Sequence, residues 1–221
     1  MCGRFAFFSP REAVQALFDV DCGVELAPRY NIAPTQPVPA LRVGADGEVE
    51  FAPLRWGLVP SWAKDPAIGN RLINARLETA AEKPAFRTAF RRRRCAVIAD
   101  GFYEWQAVGE GPKQPWFIDS EADGPFLMAG LWEHWDKGEA PLESCTLLTT
   151  AATGAMRQVH PRMPVILSAA ALRPWLAAAG SEEALSVLSD DAQTGLRMQP
   201  VSRAVNSPAH DGPDLIRPVE I

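Results

Sequence analysis

At 221 residues, the chain is long enough for one large domain or two small ones. Hydrophobic residues make up 47% and charged residues 22%, a balance that supports a sizeable core and excludes a disordered chain. The sequence has no run of about 18 apolar residues and no signal-like basic and apolar N-terminal regions. A membrane span and a secreted location are therefore not expected.

The net charge of −5 argues against nucleic-acid binding over the whole surface, but the charge is unevenly distributed. Residues 54–99 hold only three acids, so this segment carries +7 and the rest of the chain −12. Its ten basic residues are Arg55, Lys64, Arg71, Arg76, Lys83, Arg87, Arg91, Arg92, Arg93 and Arg94. The arginine run fits either a solvated helix end or a phosphate-binding face, and charge alone does not separate the two.

The cysteines and histidines are dispersed along the chain. They are Cys2, Cys22, Cys95 and Cys145, with His134, His160 and His210. No two cysteines form a CxxC pair, and no histidine has ligand-like spacing to another histidine or to a cysteine. We therefore expect reduced thiols, no metal site and no cofactor.

In the first half of the chain, "SPREAVQALF" predicts a helix with Ser9 as N-cap, Pro10 in the first turn and Glu12 completing a capping box. The Pro-rich stretch that follows predicts extended chain, and "VEFAPLRWGLVPSWA" mixes strand residues with turn signals. A helix is predicted after Pro84, and "CAVIA" then predicts a short buried strand that ends at the turn "DG".

The second half alternates short β-rich runs with turn residues, as in an antiparallel meander or barrel. The runs are "FYEWQAV", "PWFIDS", "PFLMAGLWEHW", "ESCTLLTTAA" and "MPVILS". Two short helices follow, the second with Ser181 as cap, and then a strand-like "LRMQPVS" and a polar tail over 207–221 that we expect to pack loosely. The pattern predicts a single α+β domain over 1–221, with a mainly antiparallel, barrel-like sheet core and peripheral helices.

Cys2 directly follows the initiator methionine, and removal of Met1 would give it a free α-amine beside its thiol. An α-amine has an ordinary pKa of about 7.7–8.0, so part of it is uncharged at neutral pH. An uncharged amine attacks an aldehyde to give a Schiff base, and the neighbouring thiol then closes a five-membered thiazolidine. The same thiol, once activated, is suited to attack an ester or amide. Alternatively, Cys2 is only a small residue at a frayed terminus and has no function.

Three further clusters carry groups suited to catalysis or binding. "NARLET" places Asn74, Arg76 and Glu78 at alternate positions, so on a strand all three would share one face. Glu104 lies between aromatics just after a tight turn, where an apolar pocket would raise its pKa and suit it to proton transfer. "HPRMPVIL" places His160 in a loop before a hydrophobic strand, close to an arginine suited to phosphate. Each cluster is equally consistent with ordinary exposed polar residues.

Taken together, the motifs resemble the SOS-response-associated peptidase (SRAP) family, whose animal relatives bind modified and abasic DNA. Those that carry the resemblance are "MCGRF", "RYNIAP", "WGLVPSWA", "NARLET", "PAFR", "RRCAVIADGFYEW", "AGLW", "TTAA", "HPRMPVIL" and "VSRAVN". They occur in the family's order from residue 2 to about 206, although Ile98 stands where the family more often has proline. The resemblance implies the SRAP fold.

The resemblance also implies covalent capture of abasic sites in single-stranded DNA as a thiazolidine, with AP-lyase-like and self-processing peptidase activities. The implied catalytic residues are Cys2 as nucleophile, Asn74 as the group orienting it, Glu104 as proton carrier, and His160 as acid and base. The implied DNA-binding residues are Arg4, Arg76 and Arg162 on phosphates, Asn31 along the channel, and Trp62 and Trp105 on bases. We expect a cytoplasmic monomer that joins the nucleoid when bound to DNA.

Two other functions remain open at this stage. An N-terminal-nucleophile hydrolase or amidotransferase would use the Cys2 thiolate on an amide, with the α-amine as base. A non-covalent single-strand-binding module would use only the basic segment and the tryptophans. Loss of covalent capture in a Cys2→Ala variant separates these functions from abasic-site crosslinking.

Overall fold

The computed structural model describes residues 2–23, 27–188 and 195–221. Within these ranges, thirteen strands form two sheets, and six short α-helices pack against them. Most strand pairs are antiparallel. The predicted α+β class is therefore confirmed.

The first sheet has five strands, all paired antiparallel. They are β1 (Phe5–Phe7), β2 (Arg29–Ile32), β7 (Gly101–Gln106), β8 (Gln114–Ser120) and β13 (Leu196–Pro200). Their order across the sheet is β13-β8-β7-β1-β2. The N-terminal strand thus lies inside the sheet, with a neighbour on each side.

The second sheet has eight strands and closes on itself. They are β3 (Pro37–Val43), β4 (Val49–Trp56), β5 (Asn74–Arg76), β6 (Arg94–Ala99), β9 (Phe126–Trp135), β10 (Leu142–Ala151), β11 (Arg162–Pro164) and β12 (Ile166–Leu167). Strands β10, β4, β3, β6 and β9 pair in that order, and β9 pairs again with β10. The five strands therefore form a closed ring, the barrel-like core that the sequence predicted.

The helices are short, and the longest has eight residues. They are α1 (Arg11–Phe18), α2 (Leu77–Ala80), α3 (Arg87–Arg92), α4 (Met156–Val159), α5 (Leu172–Ala177) and α6 (Ser181–Val187). Helices of this length depend on packing, because an isolated helix shorter than about 12–15 residues is marginal in water. Across the described ranges, none has the length and apolar character needed to cross a membrane.

The core fills the barrel and the space between the two sheets. All six residues of β6 are buried, and the ring of Phe5 in β1 meets that of Trp56 in β4 edge-on, with centroids 5.3 Å apart. Burying a side chain of this size stabilises the fold by about 1.5–3 kcal/mol. Gly101 is required where β7 begins, because a Cβ there would lie 2.1 Å from the Phe117 ring.

Both predicted serine caps are wrong. Helix α1 begins at Arg11 after Pro10, and the Ser9 hydroxyl donates to the carboxylate of Asp100 instead of capping the helix. Asp100 lies at the "DG" turn, so this contact ties the chain before α1 to the start of β7. Ser181 is itself the first helical residue of α6, and Gly180 precedes it. A buried carboxylate acceptor outcompeted the local cap at Ser9.

The polar tail is more firmly packed than the sequence suggested. Leu215 is buried, the amide of Val219 donates to Pro200 O (2.9 Å), and the side chain of Gln199 donates to Ile216 O (2.6 Å). These contacts hold the tail along β13. One buried apolar side chain and a few backbone bonds are enough to order a segment that its composition marks as polar.

Candidate active site

Cys2 lies three residues before β1, and the pairing of β1 fixes its position. The amide of Tyr103 donates to Arg4 O (2.9 Å), which continues the β1–β7 ladder toward the N-terminus. The side-chain amide of Asn74 donates to Cys2 O (2.7 Å), and the Cys2 side chain is fully buried. The terminal residues are therefore part of the core.

The thiol of Cys2 is held in its protonated form. Burial raises the pKa of this thiol, and the negative charge of the Glu104 carboxylate raises it further. The Sγ atom lies 3.8 Å from Arg4 O, a backbone oxygen to which the S–H can donate. An unassisted thiolate is accordingly disfavoured at this position.

Glu104 lies in the middle of β7 with its side chain facing the interior, and only 2% of the residue is exposed. Burial raises the pKa of its carboxyl, although the nearby His160 favours the charged form. Glu104 Oε1 is 3.9 Å from His160 Nδ1. A carboxyl with a raised pKa beside an imidazole is suited to exchange protons near neutral pH.

His160 follows α4, and its ring contacts the backbone of Arg162. Its Nδ1 atom lies 3.0 Å from Arg162 O and 3.1 Å from the Arg162 amide nitrogen. When Nδ1 carries the proton it can donate to the carbonyl, and when it does not it can accept from the amide. The backbone therefore supports either tautomer of the imidazole, a side chain suited to both acid and base roles.

The "NARLET" segment is only partly a strand. Strand β5 ends at Arg76, and Glu78 lies in the following helix α2, so the expectation of three residues on one strand face is wrong. Asn74 and Arg76 do alternate on β5, beside β10. Asn74 is half-buried and reaches Cys2, whereas Arg76 is exposed.

Arg162 is engaged by the protein. Its guanidinium makes a two-bonded ion pair with Glu78, at 2.6 and 2.9 Å, and also donates to Thr149 O. The same pair lowers the pKa of the Glu78 carboxyl. Glu78 and the buried Thr149 were not among the predicted site residues. The "NARLET" and "TTAA" motifs contain them, but only the pairing of β10 with both β5 and β11 brings them to Arg162.

Arg4 and Asn31 form a second cluster. Arg4 Nη1 donates to Asn31 Oδ1 (2.7 Å) and to Val205 O (2.8 Å). The Asn31 amide donates to three carbonyls of the segment after β13, namely Val205, Ser207 and His210. Asn31 has no exposed surface, so it does not line an open channel as expected. It anchors the 205–210 segment to β2.

The two candidate stacking tryptophans differ in exposure. Trp62 is 54% exposed, and its indole donates to Pro84 O at 3.4 Å. Trp105 is half-buried next to Glu104 on β7, and its indole donates to Asn206 Oδ1 (2.7 Å). Trp62 therefore offers an open ring face, whereas Trp105 is fixed against the 205–210 segment.

The basic segment is only partly available to a ligand. Arg94 is buried and donates to four carbonyls, those of Phe90, Trp175, Leu176 and Ala178. Arg93 pairs with the buried Glu133 at 2.7 Å. The last two arginines of the run thus hold α3 and α5 against the barrel. Arg76, Arg91 and Arg92 are exposed.

The predicted catalytic residues meet at one place. Asn74 bonds to Cys2, the charge of Glu104 acts on the Cys2 thiol, and His160 lies beside Glu104. The elements that supply them are β5, β7 and the loop after α4. This arrangement places an amine precursor, a thiol and two proton carriers in a buried, polar cluster.

The chain is similar in sequence to proteins of one family. The sequence profile described as SOS response associated peptidase (SRAP) matches residues 1–208. The chain is 39% identical to the abasic site processing protein YoqW of Bacillus subtilis, covering 98% of this chain and 99% of that one. It is 35% identical to the abasic site processing protein YedK of Escherichia coli, covering 99% and 100%.

The fold agrees with solved structures. A Bacteroides thetaiotaomicron protein superimposes with a TM-score of 0.82 at 22% identity, covering 99% of this chain and all of that one. A phage-related protein of Bordetella bronchiseptica gives 0.74 at 30% identity, covering 91% and 95%. The family profile and the two relatives together show that the chain belongs to the SRAP family.

Proposed function

We propose that this protein captures abasic sites in single-stranded DNA as a covalent adduct on Cys2, in the response to DNA damage. The observation that carries the proposal is the Cys2 cluster, in which Asn74 holds the Cys2 backbone while Glu104 and His160 lie alongside. The names of the relatives, abasic site processing proteins, point to the same substrate.

Removal of Met1 is the first requirement, because Met1 is bonded to the nitrogen that must react. The freed α-amine of Cys2 attacks the C1′ aldehyde of the ring-opened sugar and forms a carbinolamine. An acid protonates the hydroxyl of the carbinolamine, which leaves as water, and the nitrogen releases its remaining proton to a base, so that a neutral Schiff base remains. Asn74 holds the carbonyl of Cys2 and so orients the amine toward the sugar.

The thiol then completes the adduct. Its sulfur adds to the imine carbon, the S–H proton leaves to a base, and the imine nitrogen takes up a proton to become the ring amine of a thiazolidine. The thiol is protonated at the start, so it needs a base beside it. Glu104 is suited to this role because burial raises the pKa of its carboxyl and makes the carboxylate a stronger base.

In this scheme, His160 transfers protons during opening of the abasic sugar. An abasic sugar is mainly a closed hemiacetal, and opening it requires removal of a proton from the anomeric hydroxyl and delivery of one to the ring oxygen. His160 is suited to these transfers because its Nδ1 can donate to Arg162 O or accept from the Arg162 amide. The Schiff base that precedes ring closure is also the species from which an AP-lyase-like strand cleavage would start.

The DNA strand is proposed to follow the exposed basic and aromatic side chains next to the cluster. Arg76 makes the first phosphate contact, and Trp62 stacks on a base, an interaction worth about 1–3 kcal/mol. Arg4 and Arg162 already have protein partners, so each binds phosphate only by exchanging one of them. Asn31 acts indirectly by fixing Arg4, and Trp105 by shaping the wall beside Glu104.

The raised pKa of the Cys2 thiol favours this chemistry over a thiolate peptidase. The amine is the first nucleophile, and any peptidase activity is limited to removal of Met1. A monomer acting on single-stranded DNA in the cytoplasm, and bound to the nucleoid at lesions, is sufficient for the function.

The experiment compares wild type with Cys2→Ala on an abasic single strand, with and without borohydride. Wild type gives a heat-stable adduct without reductant. Cys2→Ala retains an N-terminal amine but has no thiol, so it gives an adduct only when borohydride reduces the imine. A stable adduct from Cys2→Ala without reductant would disprove the role of the thiol. If borohydride traps no adduct with Cys2→Ala, the role of the amine is disproved.

A further inference from the structure

Gln106, the last residue of β7, connects the strand that carries Glu104 to the helix that precedes His160. Its Nε2 donates to Gln158 O (2.9 Å), near the C-terminal end of α4. Its Oε1 accepts from the indole N–H of Trp116 in the neighbouring strand β8 (2.9 Å). Both ends of the side-chain amide are therefore used, and the amide is held in one orientation.

Helix α4 is a single turn and needs such a contact. The last carbonyls of a helix have no intrahelical partner, and Gln158 O is one of them. The residue before α4 offers no side-chain cap, and the amide of His160 already bonds to Met156 O at 2.9 Å. Gln106 thus supplies from β7 a donor that α4 lacks.

The geometry places this contact directly beside the catalytic pair. Glu104 and Gln106 are two residues apart on β7, so their side chains leave the same face of the strand. Gln158 and His160 are likewise two residues apart. Two adjacent contacts therefore join β7 to the α4 loop, Gln106 to Gln158 at 2.9 Å and Glu104 to His160 at 3.9 Å.

We propose that Gln106 is a positioning residue that sets the distance between Glu104 and His160 during proton transfer. This proposal rests on the proposed function, since proton transfer between these groups is needed only if Cys2 captures an aldehyde. Gln106 acts through His160 and does not itself contact the reacting atoms. A displacement of His160 by about 1 Å is enough to slow a reaction severely.

The test uses Gln106→Glu, which keeps the shape and still accepts from Trp116 but cannot donate to Gln158 O. Gln106→Met removes the same donor without adding a charge. Val108→Glu adds the same charge two residues further along, at an exposed side chain, and serves as the control. Thermal melting checks that each variant is folded.

The first readout is the single-turnover rate of adduct formation on an abasic single strand. We expect both Gln106 variants to be about tenfold slower, less than the full contribution of about 10²–10⁴ from general acid–base catalysis. In a His160→Gln background, each should slow the reaction less than twofold further. An equal loss in both backgrounds, or no loss in the wild-type background, would overturn the proposal.

The second readout does not depend on catalysis. The chain has three histidines, and the ring signals of His160 can be assigned by their loss in His160→Gln. In Gln106→Glu and Gln106→Met, the His160 signals should shift while those of His134 and His210 stay in place. Unchanged His160 signals would overturn the proposal. If wild type forms no adduct but these signals shift, the proposed function fails and the positioning contact stands.

Discussion

At the scale of single residues, Cys2 is distinguished by its neighbours as much as by its place in the chain. Cys95 and Cys145 are also fully buried, and burial raises the pKa of both thiols. Among these three, only Cys2 has a carboxylate acting on its thiol, and the side-chain amide of Asn74 holds its backbone carbonyl. A buried thiol is usually inert, and under the proposed function the freed α-amine, Glu104 and His160 make Cys2 reactive.

The bond from Asn74 to Cys2 O is expected to govern the rate of capture. Asn74→Asp replaces the donor with a carboxylate oxygen that repels the carbonyl, so the terminus should move away from its reactive position. We expect adduct formation to slow by about 10–100-fold, in line with the loss of orientation. Single-turnover assays measure this rate. Asn70→Asp, on an exposed residue outside the cluster, should react at the wild-type rate.

The buried carboxyl of Glu104 is expected to make the free energy of unfolding fall as the pH rises. Its pKa in the folded protein is raised above the unfolded value of about 4.3, so the folded state binds more protons than the unfolded state between the two values. The free energy of unfolding therefore falls as pH increases through this interval. Glu104→Gln removes the dependence and should raise the melting temperature relative to wild type more at pH 8 than at pH 5.

Scanning calorimetry at the two pH values tests this, since 1 kcal/mol corresponds to about 2–4 °C for a domain of this size. The same gain at both pH values would mean that burial does not raise the pKa of the Glu104 carboxyl. Glu121→Gln, on an exposed turn, provides the matched change without burial.

At the scale of elements, Arg94 holds two helices in place. Arg94→Met would leave the carbonyls that it satisfies without their donor, and each unsatisfied buried group costs about 1–3 kcal/mol. We expect the free energy of unfolding to fall by at least about 3 kcal/mol in urea titrations. Arg92→Met, at an exposed position of the same run, should change it by no more than about 0.5 kcal/mol. Equal effects would contradict the assignment.

Local patterns predicted the elements better than their ends. The β-rich runs between turn residues predicted the strands, including β6, which is buried along its whole length. The caps predicted at Ser9 and Ser181 were wrong, since a distant carboxylate binds Ser9 and α6 begins one residue earlier than expected. The sequence also could not show which arginines of "FRRRR" are structural and which are exposed. Arg93 and Arg94 are structural because they bind Glu133 and α5, which lie elsewhere in the chain.

The candidate site shows the same limit. Covalent connectivity alone suggested Cys2 chemistry, and an aromatic setting suggested a perturbed Glu104. The contacts of Asn31, Glu78 and Gln106 join segments that lie far apart in sequence. Only the pairing of strands and the path of the 205–210 segment reveal them.

At the scale of the whole molecule, an acidic protein carries a basic segment over residues 54–99, of which Arg76, Arg91 and Arg92 are exposed. The net charge of −5 discourages binding to undamaged DNA at random, while residues 54–99 supply +7. Under the proposed function, specificity comes from chemistry, because an abasic sugar offers an aldehyde to the Cys2 amine and an intact nucleotide does not. Weak electrostatic attraction and a selective covalent step would then together account for recognition of the lesion.

The intact mass of the adduct tests this account most directly. Purified protein is incubated with an abasic single strand and with the same strand intact, and each mixture is analysed under denaturing conditions. We predict an adduct only with the abasic strand, whose mass equals that of the protein lacking Met1 plus the DNA minus one water. Absence of an adduct, or an adduct that retains Met1, would contradict capture by the Cys2 amine and thiol.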